Sequence, residues 1–158
     1  MTGNSRKALQ ALCVVLCLAP TTAGGVEPQY DAVDIVKYRQ FVMKALDAHM
    51  EAVRSVVVGK ADYWHQVGDH AVAISGMSRA MLQLFPHWTG PGKVKTEAMK
   101  TIWARWPDFQ TAALRFNAEA AGLVTAVSSI DRRAIVGQFK KVEHACAACH
   151  EQFLKPVP

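Results

Sequence analysis

The sequence predicts an all-α protein that folds as an antiparallel four-helix bundle. Four segments of the chain repeat apolar residues at alternating steps of three and four, which is the spacing of an amphipathic helix. No segment alternates apolar and polar residues for long enough to indicate a β-sheet. Because the connections between the four segments are mostly short, we expect consecutive helices to pack side by side and antiparallel.

The first predicted helix ends just before Gly59, since glycine is common immediately past a helix end. Arg39 is the one polar residue on the apolar stripe of this helix. A charge on a buried face is costly unless a partner meets it, so we expect Arg39 to have an anionic partner. The stripe consists of Val36, Arg39, Met43, Leu46, Met50, Val53 and Val57.

The second predicted helix runs from Val67 to Leu84 and is stopped by Pro86, because proline lacks a backbone donor and clashes with the preceding turn. Residues 86–93, PHWTGPGK, are rich in turn formers and predict a loop. The stripe of this helix consists of Val67, His70, Ile74, Met77, Met81 and Leu84.

The third predicted helix starts with Thr96 as its N-cap and Glu97 in its first turn. Pro107 lies inside the helical pattern and should break the helix or restart it there. The stripe beyond this proline consists of Phe109, Ala113, Phe116, Ala120, Leu123 and Val127.

The fourth predicted helix is capped by residues 128–131, SSID, and carries two cysteines on its apolar face. Any group that these cysteines bind should therefore lie inside the bundle rather than on its surface. The stripe consists of Ile135, Phe139, Val142, Cys146, Cys149 and Phe153.

Residues 1–25 have the three-part pattern of a secretory signal peptide. Two basic residues precede an apolar run over residues 8–19, and the small residues 21–23 offer a cleavage site. The run is shorter than the ~18 apolar residues that a membrane span requires. We therefore expect cleavage, export to the periplasm, and a mature domain of residues 26–158.

Removal of the signal peptide changes the charge and the cysteine content. The full chain has 18 basic and 13 acidic residues, and loss of Arg6 and Lys7 lowers its formal net charge from +5 to +3. Loss of Cys13 and Cys17 leaves two cysteines. No Lys/Arg cluster is interleaved with aromatic residues, so a nucleic-acid partner is not expected.

The two remaining cysteines lie in the segment HACAACH, residues 144–150. A structural zinc site needs four ligands, and the chain has one CxxC pair without a spaced second pair. A thioredoxin-like redox pair belongs at a helix start after a strand, whereas these cysteines fall near a helix end. C-x-x-C-H is the attachment motif of c-type haem, and the sequence favours one covalent haem c with its iron. A disulfide in an oxidising compartment is the alternative.

Further stretches carry a resemblance to a known family. They are KYRQFVM at 37–43, VGKADY at 58–63, LFP at 84–86, TEAMKTIW at 96–103 and CAACHEQF at 146–153. In these stretches, and in their order, the chain resembles the class II c-type cytochromes, the cytochrome c′ family. The resemblance implies a four-helix bundle with haem attached near the C-terminus.

The resemblance also implies roles for residues around the iron. It makes Cys146 and Cys149 the thioether cysteines and His150 the proximal iron ligand. Met43 falls at the position on the other side of the iron, where a methionine in this family either coordinates or only packs. Coordination by sulfur would give six-coordinate, low-spin iron with a raised reduction potential, suited to electron transfer.

Other residues are implied at the edge of the haem. Arg39 and Gln40 fall where relatives contact the haem edge and propionates, and Glu97 is a candidate for the same surface. A surface carboxylate is the alternative partner for Arg39. One departure from the family pattern is Leu154, which stands where many relatives have arginine, with Lys155 next to it.

These observations predict a non-enzymatic electron-transfer protein, since the chain shows no acid–base or nucleophile constellation. The alternative is a five-coordinate haem protein that binds nitric oxide or carbon monoxide, as relatives do. A homodimer formed by the first two helices is also implied by the resemblance. The sequence does not identify the redox partner.

Overall fold

The computed structural model describes residues 30–156 and confirms the all-α bundle within that range. The predicted signal peptide, residues 1–25, lies outside the described residues. Between residues 30 and 156 the only extended pairings are two isolated bridges, and no helix there is long and apolar enough to cross a membrane. The helices are α1 Ala32–Val57, α2 Val67–Ser78, α3 Thr101–Ala104, α4 Trp106–Ser128 and α5 Arg132–Phe153.

The four long helices share one apolar core. Helix α4 packs against both α2 and α5, and α1 packs against α2, whereas α1 and α5 make at most sparse backbone contact with each other. Burying an aliphatic or aromatic side chain of this size contributes about 1.5–3 kcal/mol. The most deeply buried members of the core include Val53, Ile74, Leu123, Phe139 and Val142.

Local sequence signals set most helix ends. The Asp31 carboxylate accepts a hydrogen bond from the second backbone N–H of α1, and Gly59 follows that helix with a φ of +76°. Asp131 caps α5 by accepting from two backbone N–H groups, as the SSID segment predicts. Pro107 lies in the first turn of α4, where its missing donor costs nothing, so the predicted restart is confirmed.

The second helix is shorter than the sequence predicts. Helix α2 ends at Ser78, and the chain continues through 3₁₀ turns at Met81–Leu84 and His87–Thr89. The Ser78 hydroxyl donates to the Ser75 carbonyl at 2.8 Å. If the helix continued, that carbonyl would instead accept from the next backbone N–H. The Asn117 amide donates to the same hydroxyl at 3.0 Å and fixes it there.

The predicted helix start at Thr96 is wrong. Helix α3 begins at Thr101, and the Thr96 hydroxyl accepts from the Ala98 N–H at 3.1 Å without a helix following at once. The Met99 N–H instead donates to the Phe153 carbonyl at 2.8 Å, and Ala98 forms an isolated antiparallel bridge with the residue after α5. Contacts with the end of α5 therefore hold this segment extended.

Candidate functional site

A large cavity opens where α1 and α5 fail to pack together. Its volume is about 730 Å³, within the range of small-molecule and cofactor sites. The segment 96–98 and the aromatic side chains of α4 complete its walls. Apolar side chains dominate these walls, among them Leu46, Met50, Phe85, Ile102, Phe109 and Phe116.

The α5 wall of the cavity carries Cys146, Cys149 and His150. These residues are three and four positions apart, so they share one face of the helix. Both cysteines are free thiols and are partly buried against the core. The structure thus brings the C-x-x-C-H motif to the interior face that the apolar stripe predicts.

The cavity wall favours the neutral form of each of these groups. Desolvation raises the pKa of Cys146 to about 11, with smaller effects in the same direction from Cys149 and Glu143. Burial also raises the pKa of Cys149. Desolvation lowers the pKa of His150, although Asp47 acts in the opposite direction. Neutral thiols and a neutral imidazole at this wall are compatible with an apolar group bound in the cavity.

Zinc coordination is not supported by the donor geometry. Within residues 30–156 no group of three or more His, Cys, Asp or Glu side chains is placed to hold a metal ion. A structural zinc site needs four such ligands, so the CxxC pair lacks its second half.

The α1 wall of the same cavity carries Met43, which is half-buried and packs against the core. The structure therefore brings Met43 and the C-x-x-C-H motif to one cavity from two different helices. Two further methionines, Met50 and Met81, also line the cavity, but both are nearly fully buried. The helical stripe of Met81 predicts a position in the core or at the cavity, and the structure places this side chain at both.

Arg39 lies at the cavity wall, and only 3% of its surface is exposed. Its guanidinium donates to the Leu84 carbonyl at 3.2 Å and to the hydroxyls of Thr89 and Thr96 at 3.2 and 2.8 Å. It also stacks 4.5 Å above the centre of the Phe85 ring. Desolvation lowers its pKa to about 10, since none of these partners is charged.

The partners of Arg39 differ from the sequence expectation. Among the described residues no carboxylate forms an ion pair with it, so the surface-carboxylate interpretation is not supported. Sequence analysis missed Thr89 and Thr96 as its acceptors. A buried cation held by neutral groups leaves a positive charge at the wall that an anionic group in the cavity would balance.

The remaining predicted residues lie at the rim. Gln40 and Glu97 are exposed, and both line the cavity. Leu154 also lines it, so this departure from the family pattern noted in the sequence places an apolar residue at the cavity. The Lys155 ammonium donates to the Thr96 carbonyl at 2.7 Å and lies 3.9 Å from the Glu97 carboxylate.

These residues fit a covalently attached haem. Two thiols three positions apart match the two vinyl groups of one haem edge, and the adjacent histidine is of the residue type that can bind its iron. The apolar walls suit a porphyrin, and the buried guanidinium of Arg39 suits its negatively charged propionates.

Comparisons with known proteins agree with this fit. The family model described as cytochrome C′ matches residues 34–154. The cytochrome c′ of Rhodospirillum rubrum is 29% identical over 145 residues, which cover 92% of this chain and 98% of the relative. The cytochrome c′ of Alcaligenes xylosoxydans xylosoxydans is 27% identical over 123 residues, covering 77% of this chain and 94% of the relative.

Solved structures show the same fold. Cytochrome c′ from Thermochromatium tepidum superimposes with a TM-score of 0.73 at 22% identity, covering 80% of this chain and 98% of that one. A nitric oxide complex of the L16I mutant of cytochrome c prime from Alcaligenes xylosoxidans gives a TM-score of 0.71 at 26% identity, with the same coverage.

Proposed function

Because the chain belongs to the cytochrome c′ family and carries covalent haem c, we propose that it is a periplasmic mono-haem protein that transfers electrons. The haem supplies a one-electron iron couple. The observation that carries the proposal is that Met43 lines the same cavity as Cys146, Cys149 and His150. A methionine and a histidine on opposite faces of the iron favour electron transfer over ligand binding.

In this proposal each side chain has a distinct role. Cys146 and Cys149 would hold the haem through thioether bonds, and His150 and the Met43 sulfur would supply iron ligands. A thioether is neutral and polarizable, so it can bind iron without burying a charge. The apolar walls exclude water from the iron and limit the reorganisation that accompanies a change of charge.

Arg39 is proposed to balance a propionate. Support comes from its burial and from the absence of a carboxylate partner among the described residues. Two of its five N–H groups have no protein acceptor in the hydrogen bonds described above, and these are free to meet an anion. Gln40 and Glu97 are proposed as the rim residues at the same edge.

Export to the periplasm and the lack of enzymatic activity belong to the proposal as well. The signal-peptide pattern of residues 1–25 supports export, and cleavage leaves residues 26–158 as the haem domain. The mainly apolar lining of the cavity supports a role in holding haem rather than in acid–base catalysis.

A second candidate function is the binding of nitric oxide or carbon monoxide. The solved relatives from Alcaligenes xylosoxidans include nitric oxide complexes at 26% identity. Met43 is only half-buried, so a packed but uncoordinated side chain would leave room for a small ligand at the iron. The two functions differ in whether the Met43 sulfur occupies the sixth position.

A homodimer is also proposed. A solved cytochrome c′ is described as having an unusual ligand-controlled dimer dissociation, and α1 of this chain exposes Tyr38 and Phe41, which are 60% and 64% accessible. Large exposed apolar side chains on one helix are typical of an interface. A dimer that Phe41→Glu dissociates in analytical ultracentrifugation would support the proposal, and a monomeric wild-type protein would overturn it.

The optical spectrum of the purified holoprotein in both oxidation states tests the function. Electron transfer predicts low-spin iron and a weak red charge-transfer band in the ferric state, which is typical of methionine ligation. High-spin iron in both states would instead favour the gas-binding function.

A further inference from the structure

Within residues 30–156, a single polar link crosses the cleft between α1 and α5. Among the described residues, the one hydrogen-bonded ion pair that joins these two helices is between Arg54 and Glu143. The other polar contacts of α1 with the rest of the bundle run from Arg39 to residues 84–96 and from His49 to His70. In the part of the chain that the structure describes, the pair therefore has no polar substitute along this cleft.

The geometry of the pair is well aligned. The Arg54 Nε and Nη2 atoms both lie 2.8 Å from the same Glu143 carboxylate oxygen. The Nη1 atom of Arg54 is held by Glu51, one turn earlier on α1. The two side chains are only 40% and 29% exposed, so solvent screens this pair less than a pair at the open surface. A planar guanidinium fixed at two edges has little freedom to move.

The position of the pair links it to the haem attachment site. Arg54 lies in the last turn of α1, and Glu143 lies three residues before Cys146 on α5. Both side chains line the cavity. Both also act on the Cys146 thiol, since Glu143 raises its pKa and Arg54 lowers it, although desolvation and Cys149 have larger effects.

We propose that the Arg54–Glu143 ion pair is a strap that holds the Cys146 turn of α5 to the end of α1 and restricts opening of the cavity at that end. Arg54 and Glu143 are then positioning residues, which act through the separation of the two helices. The proposal relies on the haem of this family lying in the cavity, and it holds whether the haem transfers electrons or binds gas.

The strap has a measurable consequence for small molecules. Ligands reach buried iron through transient openings of the protein, so a looser cleft should admit them faster. Breaking the pair in Arg54→Met should raise the association rate of carbon monoxide with the ferrous holoprotein by about two- to fivefold, the range expected for a partly exposed pair. Amide hydrogen exchange should rise by a similar factor in the last turn of α1 and around Cys146.

The experiment compares Arg54→Met, Glu143→Gln and the double variant Arg54→Met/Glu143→Gln. The strap predicts that both single variants exchange faster in the two segments and that the double variant adds little to the larger single effect, because each single change already breaks the same pair. Arg105→Met is the matched control, since Arg105 pairs with Asp108 in an exposed contact that does not cross the cleft. It should leave both readouts unchanged.

Two results would overturn the strap. If Arg54→Met changed neither the amide hydrogen exchange rates nor the association rate of carbon monoxide, the pair would not restrict opening of the cavity. An effect of Arg54→Met without any effect of Glu143→Gln would show that Arg54 acts on another group, such as a propionate. Amide hydrogen exchange reports opening of the helices and does not depend on the function of the iron. The test of the strap therefore stands even if the electron-transfer proposal fails.

Discussion

The Arg39 guanidinium donates a hydrogen bond to the Thr96 hydroxyl at 2.8 Å, and this bond ties α1 to the extended segment beside the end of α5. The same segment is held from the other side, where the Lys155 N–H donates to the Glu97 carbonyl at 2.9 Å. The buried Arg39 side chain thus joins α1 to the segment 96–98, which forms the part of the cavity wall that belongs to neither α1 nor α5. Arg39 is therefore expected to stabilise the fold in addition to any contact with a propionate.

Replacing Arg39 with methionine should destabilise the holoprotein by about 1–3 kcal/mol, because buried acceptors at Leu84, Thr89 and Thr96 lose their donor. Arg39→Lys should recover only part of the loss, since one ammonium cannot reach three separated acceptors. The free energy of unfolding in urea measures the effect. Lys37→Met removes an exposed charge on the same helix and serves as the control. Equal stabilities of the Arg39 and Lys37 variants would show that the Arg39 hydrogen bonds do not stabilise the fold.

The helix ends that the sequence predicted correctly are those with a local cause. Gly59 follows α1 because a left-handed residue is needed there, and Asp131 caps α5 through N–H groups two and three residues away. The wrong prediction at Thr96 has a distant cause. The Met99 N–H bonds the Phe153 carbonyl, and such a contact leaves no trace in the local pattern of residues.

The candidate site shows the same division between local and distant causes. The C-x-x-C-H motif and its helical stripe place Cys146, Cys149 and His150 together without any knowledge of the fold. The acceptors of Arg39 lie 50 and 57 positions away at Thr89 and Thr96, so sequence reasoning expected an anion where the structure has hydroxyls. Burial of the charge was predictable, but its partners were not.

Replacing both Cys146 and Cys149 with serine should leave haem that acid–acetone extracts, because a hydroxyl does not form the thioether that retains it. Either single variant keeps one thioether, so it should lower the yield of holoprotein while its remaining haem stays attached. The fraction of haem extracted from each purified variant is the measurement. Complete extraction of haem from the unsubstituted protein would show that it is not attached through these cysteines.

The stability of the protein should fall as the pH falls below about 6.5, because of a histidine pair between α1 and α2. The Nδ1 atoms of His49 and His70 lie 2.8 Å apart, so one ring donates and the other accepts. Desolvation lowers the pKa of His49 from 6.5, and the charge of His70 lowers it further. The unfolded chain therefore binds more protons than the folded chain below that value, and acid favours unfolding.

Substitution of His49 by glutamine should flatten this pH dependence. The measurement is the free energy of unfolding in urea at about pH 8 and about pH 5.5, which bracket the ordinary histidine pKa. His65→Gln changes an exposed histidine outside the pair and is the matched control. The same loss of stability on acidification in both variants would rule out the pair as the cause.

Met43→Ala decides between electron transfer and gas binding. If the sulfur binds the iron, its removal should abolish the red charge-transfer band of the ferric protein, convert the iron to high spin and lower the reduction potential. Carbon monoxide should then bind faster, since no protein ligand has to leave first. Met50→Ala is the matched control, because Met50 lines the same wall but is nearly fully buried. It should cost about 2–5 kcal/mol of stability through the cavity it leaves, and it should keep the band. A wild-type protein that is high-spin in both oxidation states, and whose spectrum Met43→Ala does not change, would favour the gas-binding function.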